Sequence, residues 1–350
     1  MALDASFAKQ LRASADRLFE LLDGFSRARV LVVGDLTLDE FMTGQVERIS
    51  REAPVLIIRH RETRQVPGGG ANAVYNLAKL GAQVKAVGLV GQDQQGEALR
   101  QIFESVGIDT QGVIIDPNRP TVTKTRISAN SRQSVTQQVV RVDRKSDDLP
   151  HPDLRQQLAD YIRKELDTVD AVVCSDYGES VLTAPVIEAA TQHPRCIVDS
   201  QKGLQRYAGA TLFTPNLPEA EAAVGYAIAN ITGKTDLASL SQAGQDLLNL
   251  TRAKQILITR GEDGMTLFDP TGTEHHIPAM NRTDVFDVTG AGDTVVAALT
   301  LALVAGGTYW EAAVLGNLAA SIVVRQFGTS TTHPNEMKIA LKKLIQEQDS

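Results

Sequence analysis

The sequence predicts an α/β protein built on a mostly parallel open sheet with a small β-sheet lid, and three observations predict it. Short apolar runs rich in Val and Ile recur along the 350 residues, most of them followed by a helical pattern. Several runs end in an aspartate, at Gly34-Asp35, Ser175-Asp176 and Asp199. Carboxylates there line the edge at which open α/β sheets bind ligands. Finally, two groups of strand-like residues, about 39–62 and 119–143, leave the α/β alternation and read as a lid.

Composition narrows the function classes. Hydrophobic residues at 43% and charged residues at 22% describe an ordinary globular chain, long enough to bury one large core. The net charge of −7 repels nucleic acid and anionic membrane, so a bound phosphate must be held by a local site. No segment is long and apolar enough for a bilayer span. Residues 1–28 read as an N-terminal helical extension, an amphipathic helix with Phe7, Leu11, Leu18 and Leu22 on one face. Cys174 and Cys196 fall in apolar runs and read as packed free thiols, which fits a reducing cytoplasm.

The main domain is expected over residues 29–345. Residues 29–34 (RVLVVG) form a buried parallel strand that delivers Asp35 to the sheet edge, with Asp39 one turn further on. Asp35 can accept hydrogen bonds from sugar hydroxyls or simply cap a turn. Residues 41–44 and 54–60 are two lid strands separated by the polar stretch 47–53. The run Pro67-Gly68-Gly69-Gly70-Ala71-Asn72 then opens a helix, with bare backbone at Gly69 and a donor–acceptor side chain at Asn72. Gly68-x-Gly70-x-x-Ala73 formally fits a dinucleotide fingerprint, but that motif belongs directly after the first strand, so the match is weak. Gly233-Lys234-Thr235 copies only the end of a P-loop and is set aside.

Residues 84–90 are a strand, 96–106 a helix and 113–115 a strand. Residues 121–143 form a hairpin turning at Asn130-Ser131, and this hairpin carries Lys124, Arg126 and Arg141. Such residues usually lie on a solvated face; turned to the cleft, they offer a cationic clamp for a phosphorylated substrate. From residue 152 the α/β rhythm is regular. In Pro215-Asn216-x-x-Glu219, a capping box explains both polar residues, while a functional reading places Asn216 near phosphates and Glu219 on a magnesium hydration shell. Residues 256–259 and 264–268 pair as a hairpin, and 310–324 and 335–345 are helices.

The densest chemistry lies in residues 287–294 (DVTGAGDT), expected between a short β-like run and an apolar helix. A glycine turn opening a helix points backbone N–H groups at one spot, and the helix dipole favours an anion there. Gly290, Ala291 and Gly292 supply that backbone. Asp293 at the same helix mouth can take a proton from a hydroxyl, and a base beside an anion hole suggests phosphoryl transfer.

Together, the glycine block at 68–72 and the DVTGAGD block resemble the ribokinase-like (PfkB) carbohydrate kinases, over about residues 29–344. The resemblance implies a doubly wound domain with a β lid, ATP and Mg²⁺ as cofactors, Asp293 as base, and Gly290–Asp293 amides as anion hole. It further implies sugar binding by Asp35, Gly69 and Asn72, phosphate and magnesium roles for Asn216 and Glu219, and a nucleotide border at Thr259 and Gly261. Asp287, the Thr289 carbonyl and the 324–330 loop match a potassium position of many members, and a homodimer built through the lid is common. The runs VVGDLTLDEF, RISREAPV, TVTKTR and SDYGE resemble the heptose 7-phosphate kinases of that family, which serve lipopolysaccharide synthesis. Residues 199–202 depart from the expected Asp-Pro-Lys, leaving the role of Lys202 open. The alternatives are a kinase for ribose, fructose or a ketose phosphate, a non-catalytic sugar-binding regulator and, remotely, a dehydrogenase.

Overall fold

The computed structural model describes residues 4–130, 136–231, 234–281, 285–326 and 328–347. The N-terminal extension forms two helices where one was expected, α1 (Ala5–Ala13) and α2 (Ala15–Gly24). Ser14, at φ −98 and ψ 2, breaks the helical path between them. Asp4 caps α1 by accepting from the Ser6 and Phe7 N–H groups. The break leaves Phe7, Leu11, Leu18 and Leu22 all buried.

Strand β1 (Arg29–Gly34) is sealed on both faces: Val30 and Val32 pack into one hydrophobic cluster, Leu31 and Val33 into another. After Asp35 the chain runs straight into the lid as β2 (Leu36–Ile49) and β3 (Leu56–Gly69). It returns through α3 (Gly70–Lys79), β4 (Gln83–Gly91), α4 (Gln94–Ser105) and β5 (Asp109–Asp116). Strands β6 (Val122–Asn130) and β7 (Gln137–Arg144) complete the lid; Ser131 of their expected turn lies outside the described residues.

Alternation then resumes with α5 (Pro152–Glu165), β8 (Ala171–Asp176), α6 (Ala184–Thr191), β9 (Cys196–Ser200), β10 (Leu212–Phe213) and α7 (Leu217–Val224). A short ribbon, β11 (Asn230–Ile231) and β12 (Lys234–Thr235), precedes α8 (Leu237–Thr251), β13 (Gln255–Thr259), β14 (Met265–Phe268) and β15 (Glu274–Ile277). Three helices close the chain: α9 (Ala291–Val304), α10 (Tyr309–Val323) and α11 (Pro334–Gln346).

The main sheet runs β15-β14-β13-β10-β9-β8-β1-β4-β5, parallel from β13 to β5 and antiparallel at β14 and β15. The order reverses between β1 and β8, and at such a reversal the crevice beyond the strand C-termini is open to ligands. There β1 delivers Asp35 and β8 delivers Asp176 and Tyr177. Cys174 and Cys196 are buried free thiols, their Sγ atoms 3.9 Å apart on neighbouring strands.

The lid is a separate sheet, ordered β3-β2-β6-β7. Its strands exceed the expected segments. β2 crosses into the polar stretch up to Ile49, and β3 continues through 61–66 into the glycine block. Charged residues cost little on a sheet with a solvated face, so polarity there marks exposure, not a strand end. The β-like run expected before residue 287 is not a strand at 285–288. The Phe286 and Asp287 N–H groups both donate to the Val324 carbonyl instead.

Candidate active site

Helix α9 starts at Gly290, whose φ of +76 is left-handed. A Cβ there would lie 2.5 Å from Asn72 Nδ2, so glycine is needed both for the turn and for the approach of α3. Ala291 and Gly292 begin the helix, and no atom lies within 4 Å of where a Gly292 Cβ would be. The backbone is therefore open to an approaching group at Gly292, while the Ala291 N–H donates to the Val288 carbonyl at 3.1 Å.

Asp293 sits in the first turn with 2% of its surface exposed. Burial pushes its carboxyl up to about 6, against hydrogen bonds that favour the charged form. Asn72 Nδ2 donates to Oδ2 at 2.7 Å and the Tyr177 hydroxyl donates to Oδ1 at 2.9 Å. Asn72 is itself held: Asn76 Nδ2 donates to its Oδ1 and its carbonyl, and Thr294 Oγ1 donates to Asn76 Oδ1 at 3.0 Å. Tyr177, Asn76 and Thr294 were missed from sequence, although the i,i+4 spacing of Asn72 and Asn76 on a helix is a readable signal.

The two N-terminal carboxylates separate in character. Asp35 is buried and its oxygens are taken by the chain itself: the N–H groups of Tyr177 (2.8 Å) and Glu179 (3.0 Å) donate to Oδ2 and that of Val181 (3.1 Å) to Oδ1. Burial pushes its carboxyl up to about 6 as well, with those bonds opposing. Asp39 keeps an unpartnered oxygen. Its Oδ2 lies 3.1 Å from Arg126, while buried Oδ1 has no hydrogen-bond partner among the described residues. Gly68 lets the carboxylate lie against the backbone, since a Cβ there would be 2.6 Å from Asp39 Cγ.

Lid register lines up Arg64, Phe41, Arg126 and Arg141 in one row across four strands. Arg64 and Arg126 lie 5.7 and 5.3 Å from the Phe41 ring centre. Arg141 is turned onto its own strand, where Asp143 takes a bidentate pair at 2.7 Å and holds the guanidinium more firmly protonated. Lys124 stacks 5.5 Å over the Tyr177 ring. A cavity of about 600 Å³ lies beneath this row, lined by Phe41, Arg64, Arg126, Asp287, Thr289 and Gly328.

A second cavity of about 450 Å³ is lined by Thr259, Gly261, Val285, Val288, Ala291, Gly292 and Asn317. Residues 287–290 form the wall between the two: Asp287 and Thr289 line one side, Val288 the other. Asn216 and Glu219 form the full capping box at α7, each accepting the other's N–H at 2.9 Å. Asn216 also bridges to Thr259. Lys202 is exposed beyond β9, its carbonyl accepting from Ser200.

The residues fit a hydrated divalent cation. Asp199 is raised well above the usual carboxylate range by burial and by the charges of Asp293 and Glu219, a strain that a nearby dication relieves. Among the described residues no three carboxylates, histidines or cysteines cluster as metal ligands. The expected potassium position fits less well. Asp287 accepts from Thr289 N–H and Oγ1 and from Gly328 N–H, and the Val324 carbonyl is taken as described above.

Residues 27–336 match the pfkB family carbohydrate kinases. The protein named bifunctional protein HldE from Desulfatibacillum aliphaticivorans is 41% identical over 326 residues, 91% of this chain and 64% of its own length. The HldE of Geobacter sulfurreducens is 42% identical over 313 residues, 88% of this chain and 61% of its own. The chain thus spans less than two thirds of these relatives. In fold it is similar to Arabidopsis thaliana ribokinase complexed with ribose and ATP (TM-score 0.67, 20% identity, 91% of this chain and 98% of that one). It is likewise similar to Escherichia coli phosphofructokinase-2 in complex with potassium (TM-score 0.71, 20% identity, 91% and 99%). The chain belongs to the pfkB family of carbohydrate kinases and is a phosphotransferase acting on a sugar hydroxyl.

Proposed function

We propose that this member of the family transfers the γ-phosphoryl group of ATP to the anomeric hydroxyl of D-glycero-D-manno-heptose 7-phosphate, yielding the 1,7-bisphosphate and ADP. One observation carries this reading. The N-terminus of α9, with buried Asp293, stands at the wall between a cavity roofed by guanidinium groups and a cavity edged by Thr259 and Gly261. The HldE relatives support the heptose phosphate as acceptor.

In this mechanism the acceptor sugar lies under the lid. Asp39 accepts from a sugar hydroxyl through its unpartnered oxygen, Asn72 orients a second, and Arg64 and Arg126 hold the terminal phosphate. ATP extends from the second cavity, its phosphates toward Asn216 and the first N–H groups of α9. Asp293 removes the hydroxyl proton as the sugar oxygen attacks γ-phosphorus, and the N–H groups at residues 290–293 receive the charge that develops on the phosphoryl oxygens. Glu219 and Asp199 would hold Mg²⁺, which supplies charge neutralisation when bound. Exposed Val139, Val140 and Val142 on edge strand β7 support a homodimer joined at the lid. The buried free thiols and the use of ATP support a cytoplasmic setting.

ADP release from Mg-ATP with heptose 7-phosphate, fructose 6-phosphate, ribose and fructose, with Asp293→Asn as blank, tests the reading. Turnover confined to the heptose phosphate is expected. Preference for another sugar on the panel would overturn the substrate assignment.

A further inference from the structure

Helices α3 and α9 pack together, and most of their buried residues are apolar, among them Ala73, Val74, Leu77, Val295 and Ala298. Asn76 and Thr294 are buried among them at 0% exposure. An amide and a hydroxyl sealed there cost stability unless fully bonded, and apolar side chains of similar shape would pack as well. Their hydrogen bonds run in one direction. Asn76 Nδ2 donates to the Asn72 backbone carbonyl at 2.9 Å, and a carbonyl can only accept, which fixes the Asn76 amide. The same Nδ2 donates to Asn72 Oδ1 at 3.1 Å, so Asn72 turns its own Nδ2 to Asp293 Oδ2 at 2.7 Å. Asn76 Oδ1 is thereby left facing Thr294, whose hydroxyl donates to it at 3.0 Å. Thr294 Oγ1 also lies 3.2 Å from the Gly290 carbonyl, but that carbonyl already accepts from the Thr294 N–H.

We propose that Asn76 and Thr294 are positioning residues for the phosphoryl transfer, a directional relay that holds the Asn72 amide with its N–H, and not its carbonyl, against the base. The inference rests on the reading of Asp293 as that base. Thr294 completes the direction, since its proton satisfies Asn76 Oδ1 and leaves Asn76 a donor toward Asn72. Without the relay Asn72 Oδ1 is a buried acceptor with no donor, and the amide turns or withdraws to find one. Asp293 then loses a contact that favours its charged form. Burial pushes that carboxyl up to about 6, and the Asn72 bond is first among the contacts that oppose the rise. The ionisable groups around Asp293 are the Tyr177 phenol from the loop after β8, Asp39 and Lys124 from the lid, and Asp199 from β9, with Glu219 on α7 acting on Tyr177 and Asp199. Asn76 and Thr294 make no hydrogen bond to any of these among the described residues, so loss of the relay acts on Asp293 through Asn72.

The experiment is kcat against pH, from about pH 5 to 9 at saturating Mg-ATP and heptose 7-phosphate, for the wild type, Thr294→Val, Thr294→Ser, Asn76→Ala and the double variant Thr294→Val/Asn76→Ala. Thr294→Val and Asn76→Ala are each expected to move the acid limb up by about one pH unit, as weakening a hydrogen bond to a charged group implies. In both, kcat then falls up to about tenfold on the acid side and recovers in mild alkali, while KM for ATP stays level. Thr294→Ser, which keeps the hydroxyl, retains the wild-type profile. The double variant moves no further than the larger single shift, because both substitutions break one chain. Folded Thr294→Val and Asn76→Ala enzymes whose acid limb stays in place, even with kcat lowered evenly at every pH, would overturn the relay and leave two packing residues. A shift in Thr294→Ser as large as that in Thr294→Val would overturn it too. Should one of the two variants fail to fold, the other decides by the same shift or its absence. A wild type with no acid limb, or normal sugar turnover by Asp293→Asn, would instead defeat the base assignment and take the relay's task with it.

Discussion

At the scale of single residues, the site is governed by what burial does to carboxylates. Asp293 and Asp35 are both pushed up to about 6, chiefly by desolvation. For Asp293 the sign works against activity in acid: the carboxylate proposed as base is half ionised at about 6, so kcat is expected to fall as pH drops through that value. A pH profile checks this, and a flat profile down to pH 5 would remove Asp293 as the group that titrates. For stability the sign is opposite. Each raised carboxyl costs folding energy in its ionised form, a cost absent below the usual carboxylate range and complete above about 6. Gly290→Ala places a Cβ 2.5 Å from Asn72 Nδ2 at a left-handed φ. A stability loss of about 1–2 kcal/mol from the backbone alone is expected, together with a fall in kcat as Asn72 moves off Asp293; denaturant melts and initial rates measure both. Asp293 and Asn72 were legible because glycine blocks frame them, and Asp39 because it closely follows the strand-end Asp35. Tyr177 was not, because nothing local says that a residue after one strand meets the first turn of a helix more than a hundred positions away.

Among elements, the lid best separates what a pattern reveals from what it hides. Alternation and β-branched residues marked its strands, but a charged stretch looked like a break where β3 continues. Arg64 was invisible for the same reason. Only the pairing of β3 with β2 and of β2 with β6 sets it beside Phe41 and Arg126. Arg126 and Arg141 were legible as cations but not as partners, and the carboxylates of Asp39 and Asp143 now qualify the clamp. Arg64→Ala and Arg126→Ala are therefore expected to raise KM for the sugar phosphate about tenfold or more while KM for ATP changes little. Arg141→Ala, paired on an exposed strand, is expected to change either constant by much less. Steady-state kinetics in both substrates checks this; equal effects on the two constants would remove the row from the phosphate site.

For the whole molecule, the core draws on segments that look peripheral in sequence. Leu11, Leu18, Leu22 and Phe25 of the first helices lie in the same cluster as Val30, Val32 and the α9–α10 interface. Leu18→Ala is expected to cost about 2–5 kcal/mol, measurable by urea denaturation, as deep burial dictates. The main sheet was legible because strands sealed on both faces leave continuous apolar runs. The reversal of strand order between β1 and β8 was not, since strand neighbours are a long-range property; yet that reversal opens the crevice that collects Asp35, Tyr177 and Asp293.

The central claim, that this crevice phosphorylates a sugar already carrying a distal phosphate, is tested most directly by the ratio of kcat/KM for D-glycero-D-manno-heptose 7-phosphate to that for the same heptose without its phosphate. A ratio of roughly a hundredfold or more is expected, since two guanidinium contacts are lost with the phosphate, and it should collapse in Arg64→Ala/Arg126→Ala. Equal turnover of the two sugars would contradict the account.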